Sequence, residues 1–275
     1  MLTRFAPAPT GALHLGHVLN AIYVWDLARA HGAQVLLRIE DHDRERCRPE
    51  YKAGSLDDLD WLGFVPDIYP TADYRVGRCP GRQSDRAVNY REAVAMLRAK
   101  GLLYACDCTR STLSGRYDGR CRTRGLPLSD GYGWRVVVDE GVEAFDDLVL
   151  GRQAQDPSDQ CGDVLIRDRR GNWTYQFAVS VDDWQQKIDL VIRGADLLAS
   201  TGRQIRLGRM LGREHPARYA HHLLIMKSPD QKLSKSDGDT GVRDLRGRGW
   251  TPADVLAAAQ SSISAAAPGA VPPRR

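Results

Sequence analysis

The sequence predicts an α/β protein built on a doubly wound parallel sheet, with an inserted subdomain partway along. Three observations lead there. Short apolar runs alternate with amphipathic segments in strand–helix–strand–helix order at both ends of the chain, as in folds whose parallel strands are covered on both faces. A turn rich in Pro, Gly and His follows the first apolar run, where such sheets take nucleotides at the carboxyl ends of their strands. Between residues 104 and 171 the alternation gives way to cysteines, Gly/Arg-rich loops and short β runs.

Residues 2–6 read as a buried strand, and 16–30 as a helix with apolar residues at helical spacing. Residues 35–40 are apolar nearly throughout, which suits a parallel strand buried on both faces. Helices follow over 49–62 and 84–99. Inside the insert, 134–138 and 164–166 read as short strands. The alternation then resumes with a helix from Thr174, a strand over 190–193, a helix over 200–211 and a strand over 222–226. The implied division is a main domain in two halves (1–103 and 172–240), an insert (104–171), a short helical end (241–260) and a tail (261–275). The tail is rich in Ala and Pro and reads as disordered.

With 275 residues, 42% of them hydrophobic and 27% charged, the chain can bury a sizeable core. A net charge of +4 permits a polyanionic partner without requiring one. No apolar leader and no run of eighteen apolar residues occurs, so no membrane span is expected. Six cysteines, three of them bunched, fit a reducing cytoplasm better than a secreted disulfide framework.

Two strings carry chemistry. His14-Leu15-Gly16-His17 sits where a strand ends and a helix begins. Helix N-termini offer unpaired N–H groups to phosphate, and two imidazoles on one helical face can donate to phosphate oxygens. The plainer reading is one capping and one packed histidine. The second string is Lys232-Leu233-Ser234-Lys235-Ser236. The chain has six lysines against thirty-three arginines, and three of the six fall within residues 227–235. A compact ammonium can follow a moving phosphate better than a planar guanidinium, although such a loop by itself resembles many solvated ones.

Cys106, Cys108 and Cys121 stand close together around Arg/Gly-rich turns. Their spacing suggests one structural zinc ion; the plainer reading is three reduced thiols in a small core. Cys47, Cys79 and Cys161 stand alone and read as ordinary thiols.

Together the two strings resemble the HIGH and KMSKS elements of class I aminoacyl-tRNA synthetases. The surrounding text is similar to the glutamyl branch: Arg4-Phe5-Ala6-Pro7-Ala8-Pro9-Thr10-Gly11, Leu36-Leu37-Arg38-Ile39-Glu40-Asp41-His42-Asp43, Thr174-Tyr175-Gln176-Phe177-Ala178 and Val191-Ile192-Arg193-Gly194-Ala195-Asp196. The resemblance implies that His14, Gly16, His17, Lys232, Ser234 and Lys235 serve ATP and its Mg2+. It implies that Arg4, the turn Phe5, Ala6, Pro7 and Ala8, Glu40, Tyr175 and Arg193 hold L-glutamate. Read from chemistry alone, Arg4 and Arg193 would instead form internal ion pairs, for instance with Glu40 or Asp196. The resemblance also offers Tyr117 as fourth zinc ligand beside the three cysteines, with Asp107 or water as competitors.

The sequence departs from the glutamyl pattern in three places. Ala8 replaces a serine, Val179 replaces an asparagine, and only 39 residues follow Ser236. The last departure resembles the truncated glutamyl-queuosine tRNA(Asp) synthetase family. That resemblance implies a monomer that transfers glutamate to queuosine in the anticodon loop of tRNA(Asp). A minimal enzyme charging tRNA(Glu), a non-catalytic tRNA-binding paralogue and a small-molecule nucleotidyltransferase are the alternatives.

Overall fold

A computed structural model describes residues 1–109, 112, 115–224, 226–228, 231–232 and 240–264. Its frame is a six-stranded sheet of β1 (Leu2–Phe5), β2 (Gln34–Leu37), β5 (Glu143–Asp147), β6 (Gly151–Gln155), β8 (Leu190–Gly194) and β9 (Arg218–His222). Across the sheet the order is β2-β1-β8-β9-β5-β6. The first four in that order and β5 run parallel, and β6 closes the edge antiparallel.

One face is covered by α1 (Leu15–Ala30), α2 (Pro49–Leu62) and α8 (Pro252–Ser264). Val18, Leu19, Leu56, Leu59, Val255 and Ala259 join the strand residues Phe5, Val35 and Leu37 in one core there. The other face carries α3 (Ala87–Ala99), α5 (Tyr175–Gln185) and α6 (Thr201–Met210). Against these packs a three-stranded antiparallel sheet of β3 (Leu103–Cys106), β4 (Gly133–Val136) and β7 (Val164–Arg167). A short α4 (Pro157–Cys161) precedes β7, and α7 (Val242–Gly247) precedes α8.

Helix α2 has the expected limits: Pro49 opens it, where a missing N–H costs nothing, and Gly63 closes it at φ 79°, a left-handed cap that favours glycine. Four expectations shift. The hairpin β5–β6 lies within the span expected to be inserted, yet it extends the main sheet. Phe145 packs there with Ile188, Val191 and Tyr219, and Asp147 registers with Tyr219. The strand expected over 222–226 instead occupies 218–222, in register with β8 from Leu190↔Arg218 to Gly194↔His222. Met226–Ser228 (β10) and Gln231–Lys232 (β11) form a separate hairpin. The helix expected from 84 starts at Ala87, after a short 3-10 turn over Gln83–Asp85. There the Ser84 hydroxyl and amide both donate to Asp41, and Gln83 donates to Asp182. At the chain's end α8 runs on to Ser264, past the expected start of the tail, and 265–275 lie outside the described residues. Among the described residues no helix is long and apolar enough to cross a membrane.

Candidate active site

Strand order reverses between β1 and β8: the chain leaves β1 through α1 toward β2, and leaves β8 through α6 toward β9. Parallel sheets of this kind hold ligands in the crevice at such a switch. Arg4 and Arg193 flank it, near the carboxyl ends of β1 and β8, with 4% and 3% of their surfaces exposed.

At the first turn of α1, Nδ1 of His14 accepts from the Gly16 N–H at 3.1 Å. Nδ1 of His17 accepts from the His14 N–H, also at 3.1 Å. The two rings lie 4.0 Å apart. Both histidines therefore cap the helix, in a reciprocal arrangement. The capping has a chemical result: a neutral imidazole that accepts at Nδ1 carries its proton on Nε2. Capping and donation thus use opposite sides of each ring. Gly16 serves the first of these, since a Cβ there would meet His14 Cε1 at 2.9 Å.

Behind Arg4 lies a buried charge network. The Asp183 carboxylate takes Arg38 Nη2 at 2.7 Å and Arg4 Nε at 3.4 Å. Arg4 Nη1 also donates to the Ile192 carbonyl at 3.2 Å. Arg38 is fully buried, and its Nη1 lies 3.9 Å from Glu40 without a hydrogen-bond partner among the described residues. Burial raises both acids, but it wins only at Glu40. The carboxyl of Glu40 stays above its ordinary value despite the pull of Arg38 and Arg4. At Asp183 the two guanidiniums overcome burial and hold the carboxyl below the ordinary range. Backbone bonds join this network to the proline turn: Glu40 N–H donates to the Pro7 carbonyl and Arg38 N–H to Phe5.

Tyr175 opens α5 on the far side of the crevice, within electrostatic reach of Glu40, Arg193 and Arg4. Burial and the Glu40 charge push its phenol up. Ala8 is half-buried in the proline turn, and Val179 is fully buried on α5. Arg193 is bound differently from Arg4. Its Nε donates to His221 Nε2 at 3.0 Å, Nη1 to Gln204 Oε1 at 2.6 Å and Nη2 to the Thr201 hydroxyl at 2.8 Å. The internal ion pair expected from chemistry alone forms for Arg4, though with Asp183 in place of Glu40, whereas Arg193 has no carboxylate partner among the described residues.

Asp183, Gln204, Thr201, His221 and Asp147 escaped the sequence reading. One signal was available, because Asp182 and Asp183 continue the buried run 177–183 of α5. Acids inside such a run need buried partners. Asp182 has them in Arg86 at 2.6 Å, Gln83 at 2.8 Å and Tyr90 at 3.0 Å.

Of the lysine string, the Lys232 backbone lies in β11, while Leu233, Ser234, Lys235 and Ser236 lie outside the described residues. The chain beyond them returns to the first site. Gly241 forms an antiparallel bridge with His14, and Val242 N–H donates to the Leu13 carbonyl at 2.7 Å. The segment that follows the lysine string thus meets the α1 turn.

In the insert, the Sγ atoms of Cys106, Cys108 and Cys121 all lie within 4.8 Å of one another. Tyr117 completes the group, its hydroxyl 3.5 Å from Cys106 Sγ and accepting from the Cys121 N–H at 3.2 Å. Arg135 stacks 3.7 Å over the Tyr117 ring and reaches Cys106 Sγ at 3.4 Å, where its charge favours thiolate. Asp107 is 3.5 Å from Cys121 Sγ but is also taken by Arg124 at 2.6 Å. Three converging thiols and a phenol are a donor set that could hold one zinc ion. A cleft of about 810 Å³ runs from Cys106 and Cys108 to His42 and Tyr175, past Arg46, Arg135, Arg169 and Arg170.

Comparison with known proteins gives the family. Residues 1–124 and 129–260 match the model of the catalytic domain of class I tRNA synthetases (E and Q). The chain is 42% identical over 250 residues to a glutamyl-Q tRNA(Asp) synthetase of Cupriavidus metallidurans, covering 86% of this chain and 77% of that protein. It is 38% identical over 258 residues to a glutamate–tRNA ligase of Frankia casuarinae, covering 91% of this chain and 53% of that one. A crystal structure of a glutamate tRNA ligase from Elizabethkingia meningosepticum, in complex with its amino acid, superposes with a TM-score of 0.73 at 28% identity. That match covers 91% of this chain and 53% of that one, so the chain spans about half the length of the glutamate–tRNA ligases it matches. The crevice between β1 and β8, the histidine-capped α1 and this match together show that the chain belongs to the class I tRNA synthetases (E and Q), through their catalytic domain.

Proposed function

We propose that the protein activates L-glutamate with ATP and transfers the glutamyl group to queuosine in the anticodon loop of tRNA(Asp). The observation that carries this reading is the pair of buried guanidiniums at the sheet's switch point, beside a helix start whose two imidazoles carry their protons on Nε2. Arg4 and Arg193 grip the carboxylates of glutamate, as planar guanidinium forks do best. Glu40 takes the ammonium group, whose arrival supplies the positive charge that its buried carboxylate lacks. Tyr175 and the turn Phe5–Ala8 wall the pocket.

The glutamate α-carboxylate attacks the α-phosphorus of ATP. The bond to the bridging oxygen breaks, and pyrophosphate leaves with its electron pair. His14, His17 and the α1 N-terminus meet the phosphate oxygens, and Lys232, Ser234 and Lys235 accompany the departing pyrophosphate. Mg2+ would travel on the triphosphate and offset its charge. A hydroxyl of the queuosine cis-diol then attacks the acyl carbon, the bond from that carbon to the phosphate oxygen breaks, and AMP leaves, its phosphate taking up the hydroxyl proton. One zinc ion on Cys106, Cys108, Cys121 and Tyr117 would brace the insert and take no part in either step.

The choice of acceptor rests on the glutamyl-Q relative, of which the chain covers 77% at 42% identity. Labelled glutamate offered to tRNA from queuosine-proficient and queuosine-deficient cells tests it. Label is expected only on the proficient tRNA(Asp). Equal labelling of tRNA(Glu) from both sources would show a minimal glutamyl-tRNA synthetase instead. Absence of glutamate-dependent ATP–pyrophosphate exchange would show a non-catalytic paralogue.

A further inference from the structure

Arg193 and Arg4 are both buried, yet only Arg4 is neutralised by an acid among the described residues. The three acceptors around Arg193 are a histidine, an amide and a hydroxyl. Such a cage orients a guanidinium without cancelling its charge. Three of its five N–H bonds are used, leaving one hydrogen on each terminal nitrogen for a ligand.

Two of these acceptors are themselves fixed from behind. Gln204 donates its amide N–H to Gln176 Oε1 at 2.9 Å, and Gln176 donates to the Ser200 hydroxyl at 2.9 Å, so Gln204 Oε1 must face Arg193. His221 is fully buried, with Nδ1 2.5 Å from Asp147 Oδ2. A carboxylate only accepts, so this contact puts the ring proton on Nδ1 and leaves the Nε2 lone pair toward Arg193. Asp147 is held in turn by the N–H groups of Val149 and Leu150, both at 2.9 Å, and of His221 at 3.2 Å. The β5–β6 hairpin thus brings a carboxylate to the back of the crevice.

We propose that His221, its tautomer set by Asp147, is the positioning residue that aims the charge of Arg193 at a carboxylate of the amino-acid substrate. A protonated ring would turn an N–H toward the Arg193 N–H. Burial and the neighbouring guanidinium keep the imidazole below its ordinary value, against the Asp147 hydrogen bond, so the accepting form prevails at neutral pH. The inference rests on the reading that Arg193 binds glutamate.

The test is glutamate-dependent ATP–pyrophosphate exchange with the full chain, fitting KM for glutamate, KM for ATP and kcat. His221→Asn keeps the donor to Asp147 and removes the acceptor for Arg193. It is expected to raise the glutamate KM about tenfold to a hundredfold, the worth of a hydrogen bond to a charged group, with ATP KM and kcat largely retained. His221→Gln can set an amide oxygen near the position of Nε2, and is expected to bring the glutamate KM back near that of the parent. In an Arg193→Ala background, His221→Asn should add nothing further.

If Arg193→Ala raises the glutamate KM and His221→Asn does not, or if the Asn variant loses kcat and both KM values together, His221 does not position Arg193. A glutamate KM for His221→Gln as high as that of Arg193→Ala would overturn the proposal too, and this remains readable should the Asn variant fail to fold. If Arg193→Ala itself leaves the glutamate KM unchanged, the amino-acid site is misassigned and the functional reading falls with it.

Discussion

Glu40 and Asp183 face the same Arg38 guanidinium, which pulls both carboxyls down, but burial wins at Glu40 alone, and stability should follow. Asp183 is held below the ordinary carboxylate range by Arg38 and Arg4 against burial, so it contributes stability that is present above its unfolded value and lost as pH falls through the folded one. Glu40 is held above its ordinary value by burial. The folded state therefore binds the Glu40 proton more tightly, and stability falls as pH rises from about 4.3 through the raised value. Asp183→Asn is expected to cost on the order of 3 kcal/mol at pH 7, as when one partner of a buried ion pair is removed. Glu40→Gln should leave the ligand-free protein at least as stable as the parent at pH 8. Thermal midpoints from pH 5 to 8 check both, and a large loss for Glu40→Gln would contradict the assignment. Of this network the sequence showed Arg4, Glu40 and Arg193, which sit in strings recognisable by their neighbours. Asp183, His221 and Asp147 belong to no string, and they meet only through strand pairing and helix docking.

At the scale of single elements, legibility followed the local signals. Helix α2 has proline at one end and glycine in a left-handed conformation at the other, so both limits could be read. Strand β9 could not, because its residues Arg-Tyr-Ala-His-His look half solvated although four of the five are buried. Partners supplied from β5 and α6 make that burial possible, and local sequence does not carry them. Likewise Glu-Ala-Phe-Asp-Asp of β5 reads as polar until Arg206 meets Glu143 at 2.5 Å and His221 meets Asp147. The insert's cysteines were visible because spacing itself is the signal. Their expected outcome is about one zinc per purified chain by atomic emission. Cys121→Ser should abolish it and lower the thermal midpoint by at least about 5 °C. Fluorescence of Trp134 and Trp173, which pack edge to face in that region, should report the same loss on chelation. Metal-free parent protein with an unchanged midpoint would favour three reduced thiols.

Across the whole molecule, the insert and the main sheet enclose the arginine-lined cleft between the cysteines and Tyr175. Arg169 and Arg170 are exposed on the loop from β7 to α5, well placed to meet a phosphate backbone. Arg169→Glu combined with Arg170→Glu is expected to weaken tRNA binding. The slope of log affinity against log salt should become shallower by about 0.7–0.9 for each phosphate that the variant no longer neutralises. ATP–pyrophosphate exchange should be unaffected. An unchanged salt slope would place the RNA elsewhere. The α/β alternation announced the overall plan, whereas the return of β5–β6 to the main sheet went unread, since a hairpin carries no mark of the edge it will join.

The adjacency of β1 and β8 has a consequence during synthesis. Leu2 N–H reaches across 187 positions to the Asp189 carboxylate, and Thr3 pairs with Leu190. At roughly 5–20 residues per second, the strand bearing Arg4 leaves the ribosome roughly 10–40 s before its neighbour bearing Arg193. For that interval β1 can pair with β2 alone, and its other edge stays open to other chains. The histidine-capped helix can form early. The crevice between β1 and β8 closes only after about 70% of the chain exists, which makes the nascent chain's first half the stretch that depends most on protection from aggregation.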